Sequence, residues 1–176
     1  MIEADALAIH LNPLQEAVQP EGETDYAGIT QKIEEIVDGV SVPVIAKETG
    51  AGIAGEEAKK LEAVGVKGID VAGAGGTSWS AVEYYRGKKR RNERSQMLGE
   101  AFWDWGIPTA ISLIEVAQSV SIPVIASGGI RSGDDIAKAV ALGANLTGIA
   151  LPVLPSAIKG PREVEKTLNA MIVQLR

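Results

Sequence analysis

The residues most able to do chemistry sit in glycine-rich turns. Ser127-Gly128-Gly129-Ile130-Arg131-Ser132-Gly133-Asp134-Asp135 follows an apolar run and opens a helical pattern. Paired glycines let backbone N–H groups converge, and a helix N-terminus adds its positive dipole end, so a phosphate would be held there. The same residues also read as a plain glycine turn with Ser132 as N-cap and Asp135 closing it. The next apolar run ends at Gly148-Ile149-Ala150-Leu151-Pro152. In barrels, phosphates commonly sit between the loops after the last two strands. A second glycine-rich stretch, Ala72-Gly73-Ala74-Gly75-Gly76-Thr77-Ser78-Trp79, also leaves a predicted strand, and reads as a weak nucleotide loop or a flexible linker.

Three further groups carry chemical side chains. Lys47 ends an apolar strand before Glu48-Thr49-Gly50-Ala51-Gly52. There it would hold a phosphate or an electron-rich ring edge, form a Schiff base if desolvated, or simply reach solvent. His10, Asn12, Gln15 and Glu16 fall within seven positions after the first apolar run. They suit substrate hydrogen bonding and hard-cation coordination, although a lone His is more often a satisfied structural residue. Tyr84-Tyr85-Arg86-Gly87-Lys88-Lys89-Arg90-Arg91 is basic in an acidic chain. It would attract polyphosphate, but reads better as a solvated segment, a mobile basic loop over 86–100.

These turns need elements to position them. Residues 5–9 (DALAI), 43–46 (PVIA), 68–72 (GIDVA), 123–126 (PVIA) and 146–150 (LTGIA) read as short buried strands. Both alternate sets of side chains are apolar or small, as in parallel strands covered on both faces. Amphipathic helices are predicted over 27–37, 56–64, 109–119 and 134–142, with Gly65 and Gly143 at C-terminal cap positions. The rhythm is α/β. The repeated strand-loop-helix unit around 42–47 and 122–127 favours a barrel over a doubly wound sheet. A complete (β/α)8 TIM barrel needs about 250 residues. This chain of 176 residues is then either a smaller α/β fold or a partial barrel, about strands 4 to 8, in one domain spanning 1–176.

Composition narrows the classes. With no Cys, disulfides, thiolate zinc and a catalytic thiol are out. One His removes any multi-histidine metal site. The net charge of −6 counts against a nucleic-acid partner, and no apolar run approaches the roughly 20 residues of a membrane span. A cytoplasmic protein is expected.

Taken together the motifs resemble the type 2 isopentenyl-diphosphate isomerases, FMN-dependent (β/α)8 barrels. The resemblance rests on 10–16 (HLNPLQE), 44–48 (VIAKE), 70–79 (DVAGAGGTSW) and 127–133 (SGGIRSG), and it covers nearly the whole chain in the family's order. It implies that Gln15 contacts substrate, with His10 and Asn12 beside it, and that Glu16 ligands a Mg²⁺ bridging to the diphosphate. Lys47 and Thr77 would contact FMN. Gly129, Ile130, Arg131, Ala150 and Leu151 would hold its phosphate. Trp79 and Glu83 would line the site, with Gln15 and Glu83 positioning or relaying a proton.

The implied reaction interconverts isopentenyl and dimethylallyl diphosphate with no net redox change, with reduced FMN as acid/base and NADPH or another reductant priming it. Family members are longer and form homo-oligomers. The N-terminal strands would be missing here, leaving an exposed sheet edge, and the isolated chain is expected to be inactive without them. Two other readings stay open: an FMN-dependent 2-hydroxy-acid oxidase or dehydrogenase, disfavoured because His10 lies early rather than late, and a non-catalytic half-barrel binding FMN or phosphate.

Overall fold

The structure, a computed structural model, describes residues 3–175. Along the chain it runs β1 (Leu7–His10), α1 (Pro13–Val18), α2 (Ile29–Gly39), β2 (Val44–Lys47), α3 (Gly55–Ala63), β3 (Gly68–Asp70), α4 (Trp79–Arg90) and α5 (Glu93–Ala101). It continues through α6 (Thr109–Ala117), β4 (Val124–Ala126), α7 (Gly133–Ala141), β5 (Leu146–Thr147), α8 (Leu154–Lys159) and α9 (Pro161–Gln174). The five strands form one parallel sheet in the order β1-β2-β3-β4-β5. Strand order therefore follows chain order without reversal. That is the stepwise order of a barrel wall, whereas a doubly wound sheet reverses at a switch point.

One face of the sheet makes the core. Val44, Ala46, Ile69, Val71, Val124 and Ala126 meet Ile33 of α2, Ala58 and Leu61 of α3, Leu113 and Val116 of α6 and Ala139 of α7. The other face differs from the expectation of strands covered on both sides. Ala8 is exposed, and Ile45, Asp70 and Ile125 are only half-buried. Period-two alternation puts the second set of side chains opposite the helices, and among the described residues no second helical layer covers them. β1 and β5 each have one strand neighbour, and Leu146 on β5 is 60% exposed. No helix among the described residues is long and apolar enough to cross a membrane.

Ile69 sits at the centre of this core with no exposed surface. Ile69→Ala is expected to cost about 3 kcal/mol by lost burial and cavity formation, read as a lower denaturant midpoint at unchanged slope.

The stretch 86–100, expected as a mobile basic loop, is instead helical, as the end of α4 and most of α5. Ser78 caps α4 by accepting the Ala81 N–H, and Asn92 caps α5 by accepting the Ser95 N–H. Two glycines let the helices approach: a Cβ at Gly99 would come 2.8 Å from the Tyr84 Cβ, and one at Gly87 would come 2.9 Å from the Ser95 Cβ. Tyr84, Tyr85 and Trp103 close the hairpin with edge-to-face rings. The cations are the outward face of α4, so the charge run hid a helix. The strands also shift. β1 and β2 run one residue past their expected ends, to His10 and Lys47, and β5 stops at Thr147 instead of 150. Gly65 and Gly143 follow α3 and α7 with φ of +91° and +112°, as the C-cap reading requires.

Candidate functional site

Parallel pairing sets the first row of the site. His10 is in register with Lys47, and Lys47 with Asp70, so three strand ends place three polar side chains abreast. Partial desolvation, then the neighbouring Lys47 ammonium, lower the pKa of His10 against the opposing pull of Glu16. Its imidazole is therefore neutral at neutral pH. The Lys47 Nζ donates to the carbonyl of Glu48 at 2.8 Å.

The glycine loops after β3 and β4 are tied to each other. The Ser127 hydroxyl donates to Asp70 Oδ1 at 2.6 Å, which also accepts the Ala72 N–H. Gly73 N–H donates to the Ser127 carbonyl at 3.0 Å, and the Thr109 hydroxyl donates to the Gly128 carbonyl at 2.6 Å. Arg131 donates to the carbonyls of Gly129 and Gly75 at 3.0 and 3.1 Å. Gly128 and Gly129 have φ of +101° and +81°, and a Cβ on either would overlap the backbone of the 73–75 loop. Only glycine serves there. A cleft of about 280 Å³ opens beside these loops, between α6 and α7.

The capped-turn reading of 127–135 is the one its hydrogen bonds show. Ser132 accepts the Asp135 N–H, and Asp135 Oδ2 accepts the N–H groups of Arg131 and Ser132. Those bonds, led by the Arg131 N–H, hold the Asp135 carboxyl below its ordinary range. The helix start is thus already capped. Among the described residues no protein acceptor takes the N–H of Gly129, Ile130, Ala150 or Leu151. β5 pairs with β4, and Gly148, two residues before Ala150, approaches Ser127 closely.

A second cluster joins α1 to α4. Asn12 donates its amide to Glu16 Oε1 at 2.9 Å, and the Glu23 N–H donates to Glu16 Oε2 at 2.9 Å. The Glu23 N–H first, then the Asn12 amide, draw the Glu16 pKa down. Gln15 Nε2 donates to Glu83 Oε1 at 3.4 Å, and Arg86 Nη1 donates to the same oxygen at 2.6 Å. Glu83 is 1% exposed, and its Oε2 is buried with no hydrogen-bond partner. An unpartnered buried carboxylate oxygen is costly and calls for an explanation, and the hydroxyls of Ser80 on α4 and Ser95 on α5 are likewise buried and unpartnered.

Gln15 and Glu83 thus meet across 68 residues of sequence. Thr77 and Trp79 lie on the rim, exposed, beside the loop that follows Lys47. Asp70, Ser127, Thr109 and Arg86 were not singled out from sequence. Asp70 and Ser127 stood inside quoted motifs, and their pairing appears only once β3 and β4 are adjacent. Thr109 looked like an ordinary helix start.

Comparison with known proteins places the chain in a family. A family described as FMN-dependent dehydrogenase matches residues 13–176. The chain is 61% identical over 176 residues to an isopentenyl-diphosphate delta-isomerase of Methanothermobacter thermautotrophicus, covering 100% of this chain and 49% of that protein. It is 55% identical over 181 residues to the one from Pyrococcus furiosus, covering 98% of this chain and 45% of that protein. Against the one from Methanosarcina acetivorans it is 54% identical over 176 residues, covering 100% of this chain and 48% of that protein. The chain therefore spans about half the length of the curated relatives it matches.

Two crystal structures of Trypanosoma brucei GMP reductase C318A, one in complex with guanosine 5'-monophosphate, share the fold. Their TM-scores are 0.54 and 0.56 at 20% identity, over 84% and 85% of this chain and 26% and 28% of those chains. By its sequence, the chain belongs to the FMN-dependent dehydrogenase family.

Proposed function

We propose that this chain carries the substrate-handling and flavin-phosphate side of an FMN-dependent isomerase that interconverts isopentenyl and dimethylallyl diphosphate. The observation that carries the reading is the Gln15 amide on the buried carboxylate of Glu83, whose other oxygen has no partner. The isomerase relatives support the substrate class.

The residues fit FMN. Backbone donors at Gly129, Ile130, Ala150 and Leu151 are left to a ligand, in loops where a Cβ at Gly129 has no room. Backbone N–H groups of glycine loops are donors that a phosphate takes. Lys47 and Thr77 would contact the flavin, with Arg131 steadying the phosphate loop through its two carbonyl contacts. When bound and reduced, FMN supplies the proton donor and acceptor an unactivated alkene needs, with NADPH as one source of electrons.

The protein's own part is positional and protonic. Gln15 orients the carboxylate of Glu83, and Oε2 of Glu83 holds or passes a proton. His10, Asn12 and Trp79 bound the substrate, with the neutral imidazole donating or accepting without adding charge. Glu16 fits Mg²⁺ only as a lone protein ligand. Among the described residues no group of three or more acidic or His side chains could hold a metal. The ion would take its remaining ligands from diphosphate and water, as Mg²⁺ commonly does.

The five strands are read as the later strands of a (β/α)8 barrel, completed by an N-terminal part and assembled as a homo-oligomer. The two uncovered sheet edges and the half-buried face support completion by further strands. Oxidation of 2-hydroxy acids fits less well, because the only His sits at the exit of β1. The test is complementation. The purified chain with reduced FMN, Mg²⁺ and isopentenyl diphosphate is expected to turn over at background. Adding the N-terminal half of one of the isomerase relatives is expected to raise dimethylallyl diphosphate formation at least about a hundredfold, the scale of assembling positioned groups. Saturable FMN binding with no activity after assembly would leave a binding half-barrel instead.

A further inference from the structure

Among the described residues, Glu48 is the one buried carboxylate that the proposed reaction does not use. It is 5% exposed, at the end of β2 next to Lys47, and a charge buried there is tolerable only if hydrogen-bonded. Its Oε2 accepts two backbone N–H groups of its own loop, from Thr49 at 2.5 Å and Ala51 at 2.6 Å. Burial pushes the carboxyl pKa up, and the loop N–H groups with the Lys47 charge pull against that rise.

The clamped loop contains Gly50 and Gly52, at φ of +129° and +78°. Two such glycines leave a free loop many conformations, so something must select one. The selected conformation reaches three neighbours. Gly52 N–H donates to the Ala72 carbonyl, and the Ala51 carbonyl accepts the Ile107 N–H at 2.8 Å. Gly50 is seated so closely that a Cβ there would lie 2.8 Å from the Thr77 carbonyl and 3.7 Å from the Trp79 ring. On its other side, the main-chain carbonyl of Glu48 receives the Lys47 ammonium.

We propose that Glu48 is a positioning residue that couples Lys47 to Thr77 and Trp79 by fixing the loop over residues 48–52. Its carboxylate acts on the loop, not on a ligand, and the inference rests on the reading above only in counting those three residues as part of the site. Charge-assisted bonds to backbone N–H are the stronger kind, and a single oxygen here takes two.

The test compares the parent chain with Glu48→Gln and Glu48→Ala, all flavin-free, by amide hydrogen exchange and ¹H–¹⁵N spectra, and then by FMN titration. In Glu48→Ala the Thr49 and Ala51 amides are expected to exchange at least about tenfold faster, the size of losing a hydrogen bond to a charged group. The indole N–H signal of Trp79 shifts while that of Trp103 stays. The β-ladder amides of Ile69 and Val71 keep the parent's rates. Glu48→Gln, which keeps an acceptor oxygen of the same shape, returns exchange to within about threefold of the parent. FMN affinity follows the same order.

Unchanged Thr49 and Ala51 amides would overturn the proposal. So would ladder amides that accelerate with them, since Glu48 would then only hold the fold, or a Gln variant no better than Ala. If the parent itself fails to bind FMN, the cofactor reading fails, and the exchange and indole measurements still decide Glu48.

Discussion

Gly129→Glu is expected to weaken saturable FMN binding by at least about a hundredfold, combining a steric and an electrostatic cost. The steric part comes from the backbone. Gly129 has φ of +81°, and a Cβ there would overlap the Gly75 carbonyl across the loop. The 127–131 and 73–76 loops would have to part, and with them the contacts from Arg131 to the carbonyls of Gly129 and Gly75. The electrostatic part is a carboxylate beside the N–H groups of Gly129 and Ile130, where the phosphate's own negative charge would sit.

Titrating FMN and following quenching of its fluorescence reads the effect. Gly129→Ala separates the two costs, because it carries the Cβ without the charge. The Ala variant is expected to bind more tightly than the Glu variant and more weakly than the parent. Far-ultraviolet circular dichroism should be unchanged in both, since Gly129 lies in the turn between β4 and α7 and belongs to no helix or strand. Parent-like affinity in the Glu variant would place the flavin phosphate elsewhere.

On the proposed reading, Glu83→Gln lowers the isomerisation rate of the chain assembled with a relative's N-terminal half by about 10²- to 10⁴-fold, the range for loss of a positioned proton-transfer group. The substitution keeps the buried volume, and the amide oxygen still accepts from Arg86. What is lost is the carboxylate that the proposed mechanism places in the proton path next to Gln15. Arg86 has a second partner in Glu21, at 2.9 Å, so its guanidinium stays anchored. The loss should therefore appear in kcat, with KM and FMN affinity within about threefold of the parent, the pattern of an interaction made in the transition state. Deuterium incorporation from solvent into recovered substrate should fall in parallel. A variant with kcat within threefold would remove Glu83 from the proton path.

The two halves of the site differ in how far they were legible from sequence. The glycine turn after β4 was readable because its hydrogen bonding is local. Gly128, Gly129, Ser132 and Asp135 lie within eight positions, and cap, turn and backbone donors all follow from residue type and spacing. The Gln15–Glu83 contact was not readable from spacing, because the partners are 68 residues apart. It entered as an expectation only through resemblance. Glu48 was visible inside a motif but carried no role, since its importance depends on the Thr77 and Trp79 segment that its loop meets. The 84–91 run misled because charge was read as solvation, while Gly87, Gly99 and the Tyr84–Trp103 contact decide helix packing from the other face.

By itself the sequence determined the α/β class, the five strands to within a few residues, the C-cap glycines and which polar residues stand at the strand exits. Those are set by period, by β-branched runs and by glycine's access to positive φ, which neighbours along the chain decide. Only the tertiary structure decided which exits stand side by side. Register puts His10, Lys47 and Asp70 abreast, and the pairing of β3 with β4 brings Ser127 to Asp70. Such contacts depend on strand order and close approach between distant segments, and nothing in local propensity encodes a distance across the sheet.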